Sequence, residues 1–294
     1  MTAQERGIPG RLVVAGLGYS GSAVARAAAA AGWAVTGTAR DPAQAAPPAG
    51  VAVVGFAAAG AAIGAATHLL VTAPPGEQGD PVLAAHAAAI RAAPGLRWLG
   101  YLSTTGVYGD RGGAWVDEAT APAPGQERSR RRLAAERAWE AASGGRALDV
   151  FRVGGIYGPG RSSLDDLRAG TARRTLSPGH LFGRIHREDI AHAVLAAMAQ
   201  PRDGGLRVLH LVDDEPAESA VVVVEAARLL GIAPPPAVPL ERQWPAMSPM
   251  ARSFWAENRR VANAATKATL GIAWRYPSYR EGLRAILAEE QGAR

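Results

Sequence analysis

Three observations predict an α/β protein with a doubly wound parallel sheet of about seven strands and a small C-terminal lobe. Short apolar strands alternate with helical segments, a glycine-rich turn follows the first strand, and the character of the chain changes after Asp213. The composition agrees: 294 residues, 48% hydrophobic and 20% charged, suit a globular protein large enough for a full α/β core.

The elements follow in order. Arg11 to Gly16 reads as a strand, the alanine-rich stretch Ser20 to Ala31 as a helix stopped by Gly32, and Trp33 to Thr38 as a second strand, together one βαβ unit. Val51 to Val54, His68 to Thr72 and Leu96 to Ser103 continue as strands, with helices near Ala57 to Ala66 and Pro81 to Ala92. Glu127 to Ala142 is predicted helical, Leu148 to Gly154 a strand, Arg187 to Ala199 a helix and Leu206 to Val212 a strand. Residues 1–212 thus form the expected dinucleotide-binding domain, with a crevice loop near 158–186. Residues 213–294 form a smaller, mostly helical substrate lobe: a helix at Ala217 to Leu230, a proline-rich connector at Pro234 to Pro239 and a last helix at Tyr279 to Glu290.

Composition also excludes functions. With no cysteine, disulfides, thiolate zinc sites and cysteine nucleophiles are out. Pro42 to Gly76 lacks Asp, Glu, Lys and Arg, yet five prolines punctuate it and Ala and Gly fill it, so it reads as strand, helix, strand and not as a membrane span. Met1 to Arg11 carries Glu5 and Arg6 and no apolar run, so the expected location is cytoplasmic. The net charge of +6 comes from an arginine-biased composition in which Lys267 is the only lysine. The run Arg128, Arg130, Arg131, Arg132 has no interleaved aromatic residues for base stacking, so no nucleic-acid partner is expected.

Gly16-Leu17-Gly18-Tyr19-Ser20-Gly21 stands between the first strand and the first helix, where a Rossmann pyrophosphate site needs it. Gly16 allows the tight turn, Gly18 lets a pyrophosphate approach the backbone, and Gly21 lets helix and strand pack closely. Tyr19 and Ser20 stand at the turn into the helix whose N–H groups and dipole favour the anion, and Ala73, just after the strand His68 to Thr72, is a further cofactor-binding candidate. At the end of the second strand Arg40 suits a 2′-phosphate, whereas its neighbour Asp41 would suit a ribose 2′-OH. The expected cofactor is NADP, with NAD left open.

Further motifs resemble the extended short-chain dehydrogenase/reductases of the NAD-dependent epimerase/dehydratase superfamily. Leu102 to Gly109 is similar to the active-site strand ending S-x-x-V-Y-G, with Thr104 in the catalytic Ser/Thr place; Phe151 to Arg161 is similar to the R-x-x-x-x-Y-G-P-G-R turn at the crevice. Arg184 to Ala191, Leu211 to Asp214, and the ending Asn258 to Asn263 with Tyr276 to Gly282 extend the resemblance over nearly the whole chain. It implies an oxidoreductase or epimerase-like enzyme on a small carbonyl or sugar-nucleotide-like substrate, with Tyr157, Arg161 and Arg184 facing that substrate.

The resemblance breaks at the Tyr-x-x-x-Lys pair, whose residues share one helix face and supply the acid/base group and its activating cation. Arg128 takes the Tyr place and Arg132 the Lys place. A guanidinium stays protonated, so Arg128 cannot exchange a proton, although Arg132 can still bind ribose or phosphate oxygens. Thr104 and Tyr108 are the remaining catalytic candidates, Tyr108 alternatively being a packed turn residue. Loss of the pair also motivates a different class of function, a catalytically silent NAD(P)-binding sensor, and disfavours an epimerase of the usual mechanism. His186, Asp189 and His192 lack metal-ligand spacing, and Ser162 and Ser163 lack a nucleophile elbow, so no metal is expected. Relatives often pair through the helix matching Glu127 to Ala142; its arginines leave a homodimer open here.

Overall fold

The structure, a computed structural model, describes residues 10–292. Most of the segment weighed for a secretory signal lies outside the described residues. The strands are β1 (Arg11–Ala15), β2 (Ala34–Ala39), β3 (Val51–Gly55), β4 (His68–Val71), β5 (Trp98–Thr104), β6 (Trp115–Val116), β7 (Ala147–Val153), β8 (Gly155–Tyr157), β9 (Arg174–Leu176), β10 (Arg184–His186), β11 (Gly205–Leu211), β12 (Ala237–Pro239) and β13 (Arg260–Val261). The helices are α1 (Tyr19–Ala30), α2 (Gly60–Gly64), α3 (Pro81–Ala92), α4 (Glu127–Ala142), α5 (Ser163–Arg168), α6 (Arg187–Met198), α7 (Ser219–Leu230), α8 (Leu240–Gln243), α9 (Pro249–Trp255), α10 (Ala264–Leu270) and α11 (Tyr279–Gly292). They divide into two compact units: one of residues up to Thr104 with Arg130–Arg152 and Ile190–Leu209, the other of Thr105–Ser129, Val153–Asp189 and the chain from His210 onward.

The first unit holds a seven-stranded sheet in the order β11-β7-β5-β4-β1-β2-β3, so the α/β doubly wound fold is the observed one. The pairs β1–β2, β2–β3, β1–β4 and β4–β5 run parallel. After β3 the chain returns to the other side of β1, which places the topological switch between β1 and β4, where such sheets bind ligands at the strand C-termini. Strands buried on both faces explain the unbroken apolar runs: Leu12, Val13 and Val14 are buried in β1, and Leu69, Leu70 and Val71 in β4. In α1 the buried residues are mostly small (Ala23, Ala25 and Ala28, with Val24), allowing a close approach to the sheet. At the far edge, Asp149 of β7 is fully buried, accepts from Trp98 Nε1 at 2.8 Å and pairs with Arg202 and Arg207 at 2.7 Å each.

The helix expected at Ala57 to Ala66 is a 3-10 turn at Phe56–Ala58 followed by the single-turn α2. Glycines at both ends of α2 carry the backbone-entropy cost that keeps it short.

The second unit gathers α5, α7 and α11 around Tyr157, Leu164, Val222, Ala226, Tyr279, Leu283 and Ile286. It also holds three short parallel pairs, β8–β10, β9–β12 and β6–β13. Part of the proline-rich connector is therefore strand β12; an edge position tolerates Pro239, which has no N–H to donate. Among the described residues no helix is long and apolar enough to cross a membrane.

Candidate functional site

The glycine turn sits at the switch between β1 and β4. Gly16 has φ +113°, a conformation that side chains other than hydrogen rarely adopt. Its N–H donates to Thr38 Oγ1 at 3.0 Å, and its carbonyl accepts from Thr72 Oγ1 at 2.6 Å, so hydroxyls from β2 and the end of β4 lock the turn. A Cβ on Gly21 would lie 2.1 Å from Gly16 O, so this position must be glycine if α1 is to stay against β1. A Cβ on Gly18 would meet nothing within 4 Å, so the face over Gly18 is open to a ligand. Gly18 is the N-cap of α1 and no side chain caps it, which leaves first-turn N–H groups and the positive helix end for an anion.

Beside this turn lies a cavity of about 580 Å³ lined by Gly16, Gly18, Thr38, Arg40, Phe56, Thr72 and Ala73 among others, with no carboxylate in its lining. Of the residues expected around a dinucleotide, Gly16, Gly18, Arg40 and Ala73 share this cavity, and Tyr19, Ser20 and Gly21 form the adjoining first turn of α1. Asp41 Oδ1 accepts from Ala43 N at 3.0 Å, capping the 3-10 turn that starts at Pro42. Thr38, Phe56 and Thr72 were not read from the sequence, because a threonine at a strand end carries no local mark of its hydroxyl's direction.

Arg132 lies apart from that cavity, on α4 against β5. Its Nη1 donates to Leu102 O at 2.7 Å, and the guanidinium stands 5.7 Å from the Tyr101 ring centroid. One turn on, Glu136 accepts from Ser103 Oγ and pairs with Arg152 at 2.8 Å, both charged side chains being nearly buried. Arg152 is thus an internal tie from β7 to α4. Burial pushes the Tyr101 hydroxyl well above the usual phenol range, with Arg132 opposing the shift. Thr104, half-buried, ends β5.

In the second unit, Tyr108 is fully buried with its hydroxyl 2.5 Å from His210 Nε2. His210 Nδ1 lies 2.7 Å from Ala262 O, a geometry that fixes the proton on Nδ1 and leaves Nε2 to accept from Tyr108. Arg128, in the place of the family's tyrosine, stacks on Phe254 with its guanidinium carbon 4.1 Å from the ring centroid. Tyr157 and Arg184 point into the interior. Tyr157 donates to Ser278 O at 3.3 Å, and Arg184 donates to Phe182 O and Ala217 O at 2.9 Å each. Next to Arg184 is Asp213, 2% exposed and with neither carboxylate oxygen hydrogen-bonded; burial pushes its pKa up to about 8, against the pull of Arg184. Arg161 is exposed at the turn that bridges back to Gly158.

Asp189 accepts the backbone N–H groups of Arg275 and Tyr276 at 2.7 and 3.0 Å, and so anchors the stretch leading into α11. Among the described residues no group of three His, Cys, Asp or Glu side chains is arranged to hold a metal ion.

No protein-family model matches the chain. A functionally unknown conserved protein from Silicibacter pomeroyi DSS is 44% identical, with 95% of this chain and 99% of that chain covered and a TM-score of 0.89. A structure from Methylobacillus flagellatus, provisionally described as an NAD-dependent epimerase/dehydratase, is 26% identical over 96% of this chain and 99% of that one, with a TM-score of 0.72. A Streptomyces 3-diazoavenalumate denitrifying reductase is 31% identical over 147 residues, which is 46% of this chain and 45% of the reductase.

Proposed function

Because the chain belongs to the NAD-dependent epimerase/dehydratase superfamily of extended short-chain dehydrogenase/reductases, we propose that it is an NADP-dependent oxidoreductase or epimerase-like enzyme. Its substrate is a small carbonyl or sugar-nucleotide-like compound, and it works without the usual Tyr/Lys pair. The observation that carries this reading is the cavity at the β1–β4 switch, which has an open Gly18 face, an uncapped helix end and Arg40, and no carboxylate to claim a ribose 2′-OH. That donor set fits a dinucleotide with an extra phosphate. The turn amides take the pyrophosphate and Arg40 takes the 2′-phosphate, while Asp41, outside the cavity lining, turns Oδ1 to Ala43 N.

When bound, such a cofactor supplies or accepts hydride. The chain's own residues must then place the carbonyl and handle the proton. Arg132 keeps Nε and Nη2 for ribose oxygens while Nη1 holds Leu102 O. The Thr104 hydroxyl, with a bound water, replaces the missing tyrosine as proton carrier. Tyr108, its hydroxyl committed to His210, acts by positioning the turn after β5.

Titration of nucleotide-stripped protein with NADPH, NADH, NADP⁺ and NAD⁺ tests the reading. NADPH should bind at least about tenfold tighter than NADH, a difference of about 1.4 kcal/mol, and Arg40→Ala should erase the preference. An equal or reversed preference in the unaltered protein overturns the NADP assignment. A second reading, a catalytically silent NAD(P) sensor, is favoured by Arg128, which sits on Phe254 where proton transfer would need a phenol. Turnover of NADPH with any carbonyl substrate eliminates it.

A further inference from the structure

The second unit contains a cavity of its own, about 760 Å³, which shares no lining residue with the cavity at the glycine turn. Three arginines line it, Arg173, Arg174 and Arg242, and no Asp or Glu does. Among the described residues none of the three makes an ion pair or a side-chain hydrogen bond. Other arginines of the same unit are engaged: Arg168 pairs with Glu290 at 2.6 Å, and Arg252 donates to Trp244 O at 3.0 Å. Arg174 is the sharpest case, since its Nε is inaccessible to solvent and has no partner. A buried donor without an acceptor is rare and costly, and three like charges around one cavity add mutual repulsion. An oxyanion in the cavity would relieve the repulsion, held by the exposed Arg173 and Arg242 and by the charge of the half-buried Arg174.

The remaining walls indicate what the oxyanion is attached to. Val238, Met247 and Trp255 contribute apolar surface, and the Trp255 ring is held edge-on against Phe182 with centroids 5.0 Å apart. The polar side chains Thr175 and Gln243 are bonded to each other at 2.8 Å and so do not compete for the ligand.

We propose that this cavity is a binding site for a small organic acid, a carboxylate or phosphate ester carried on an apolar body. The arginines hold the acid group and the Trp255 wall holds the body. The site stands whether or not the nucleotide reading does.

Calorimetric titration of the full chain at low ionic strength tests it, with phenyl phosphate, trans-cinnamate, inorganic phosphate and benzyl alcohol as probes. At least one of the two organic acids should bind about tenfold or more tighter than inorganic phosphate, and benzyl alcohol should not bind. The stronger organic acid identifies the phosphate or the carboxylate class. Arg242→Gln alone should weaken it about tenfold and R174Q/R242Q further, while Arg137→Gln, an exposed arginine outside the cavity, should leave it unchanged. Organic acids that bind no better than inorganic phosphate, or equally well to R174Q/R242Q, overturn the proposal. NADPH titrated in parallel separates the two readings: R174Q/R242Q should retain its affinity, and failure of NADPH to bind the unaltered protein would sink the nucleotide reading alone.

Discussion

Gly18 and Gly21 sit three residues apart in one turn, yet a methyl group at each meets a different physical obstacle. At Gly21 the added carbon falls 2.1 Å from the Gly16 carbonyl oxygen, which is backbone and cannot swing away, so α1 must lift from β1. Gly21→Ala should therefore cost about 1–3 kcal/mol of stability, the usual range for overpacking, and weaken nucleotide binding as well. At Gly18 nothing lies within 4 Å and φ is −81°, which alanine adopts readily, so Gly18→Ala should fold with nearly unchanged stability. Its methyl would stand where the pyrophosphate needs the backbone, so nucleotide affinity alone should fall. Urea melts and NADPH titrations of the two variants check this; a Gly18→Ala protein that binds NADPH normally would remove the pyrophosphate from that face.

At the scale of elements, the edge strand β11 is tied to β7 through Asp149, which is fully buried and serves Arg202, Arg207 and the indole of Trp98 on β5. Asp149→Ala leaves two guanidinium groups uncompensated at the sheet edge and should destabilise by about 3–5 kcal/mol, read as a fall in the urea midpoint. Asp149→Asn, which keeps the acceptor for Trp98, should lose less; equal losses would put the whole effect on the carboxylate charge that faces Arg202 and Arg207 and none on the Trp98 hydrogen bond. The long elements were legible because their signals are local: apolar runs in β1 and β4, and alanine periodicity in α1. The pairs β9–β12 and β6–β13 were not, because each joins segments far apart in sequence and a two- or three-residue strand carries no period of its own. The site divides in the same way. Gly16, Gly18, Gly21 and Arg40 carry their chemistry in a contiguous motif, whereas Arg173, Arg174 and Arg242 become a set only when β9 and β12 pair and bring α8 alongside.

For the whole molecule, three buried groups set opposing pH dependences of stability. Burial holds His68 and His186 down to about 4, well below the ordinary 6.5. Between those values the unfolded chain takes up two protons that the native protein refuses, so this pair makes stability rise with pH and adds nothing further above 6.5. Asp213 works the other way. Its carboxyl is pushed up to about 8 by burial, with Asp214 and Glu215 adding to the shift and Arg184 opposing it. From the unfolded carboxylate value of about 4 up to about 8, the native protein keeps a proton that the unfolded chain has released, so stability falls as pH rises. Below 6.5 two histidines outweigh one aspartate; between 6.5 and 8 Asp213 acts alone, with a slope of at most about 1.4 kcal/mol per pH unit. Unfolding free energy should therefore peak near pH 6.5 and decline toward 8. Asp213→Asn replaces the neutral acid with a group of the same shape that cannot ionise, so its profile should rise more steeply than that of the unaltered protein up to pH 6.5, because the two histidines are no longer opposed, and then stay level. Urea melts at half-unit intervals from pH 5 to 9 measure both curves, and an equal decline above pH 6.5 in the two proteins would take the alkaline limb away from Asp213.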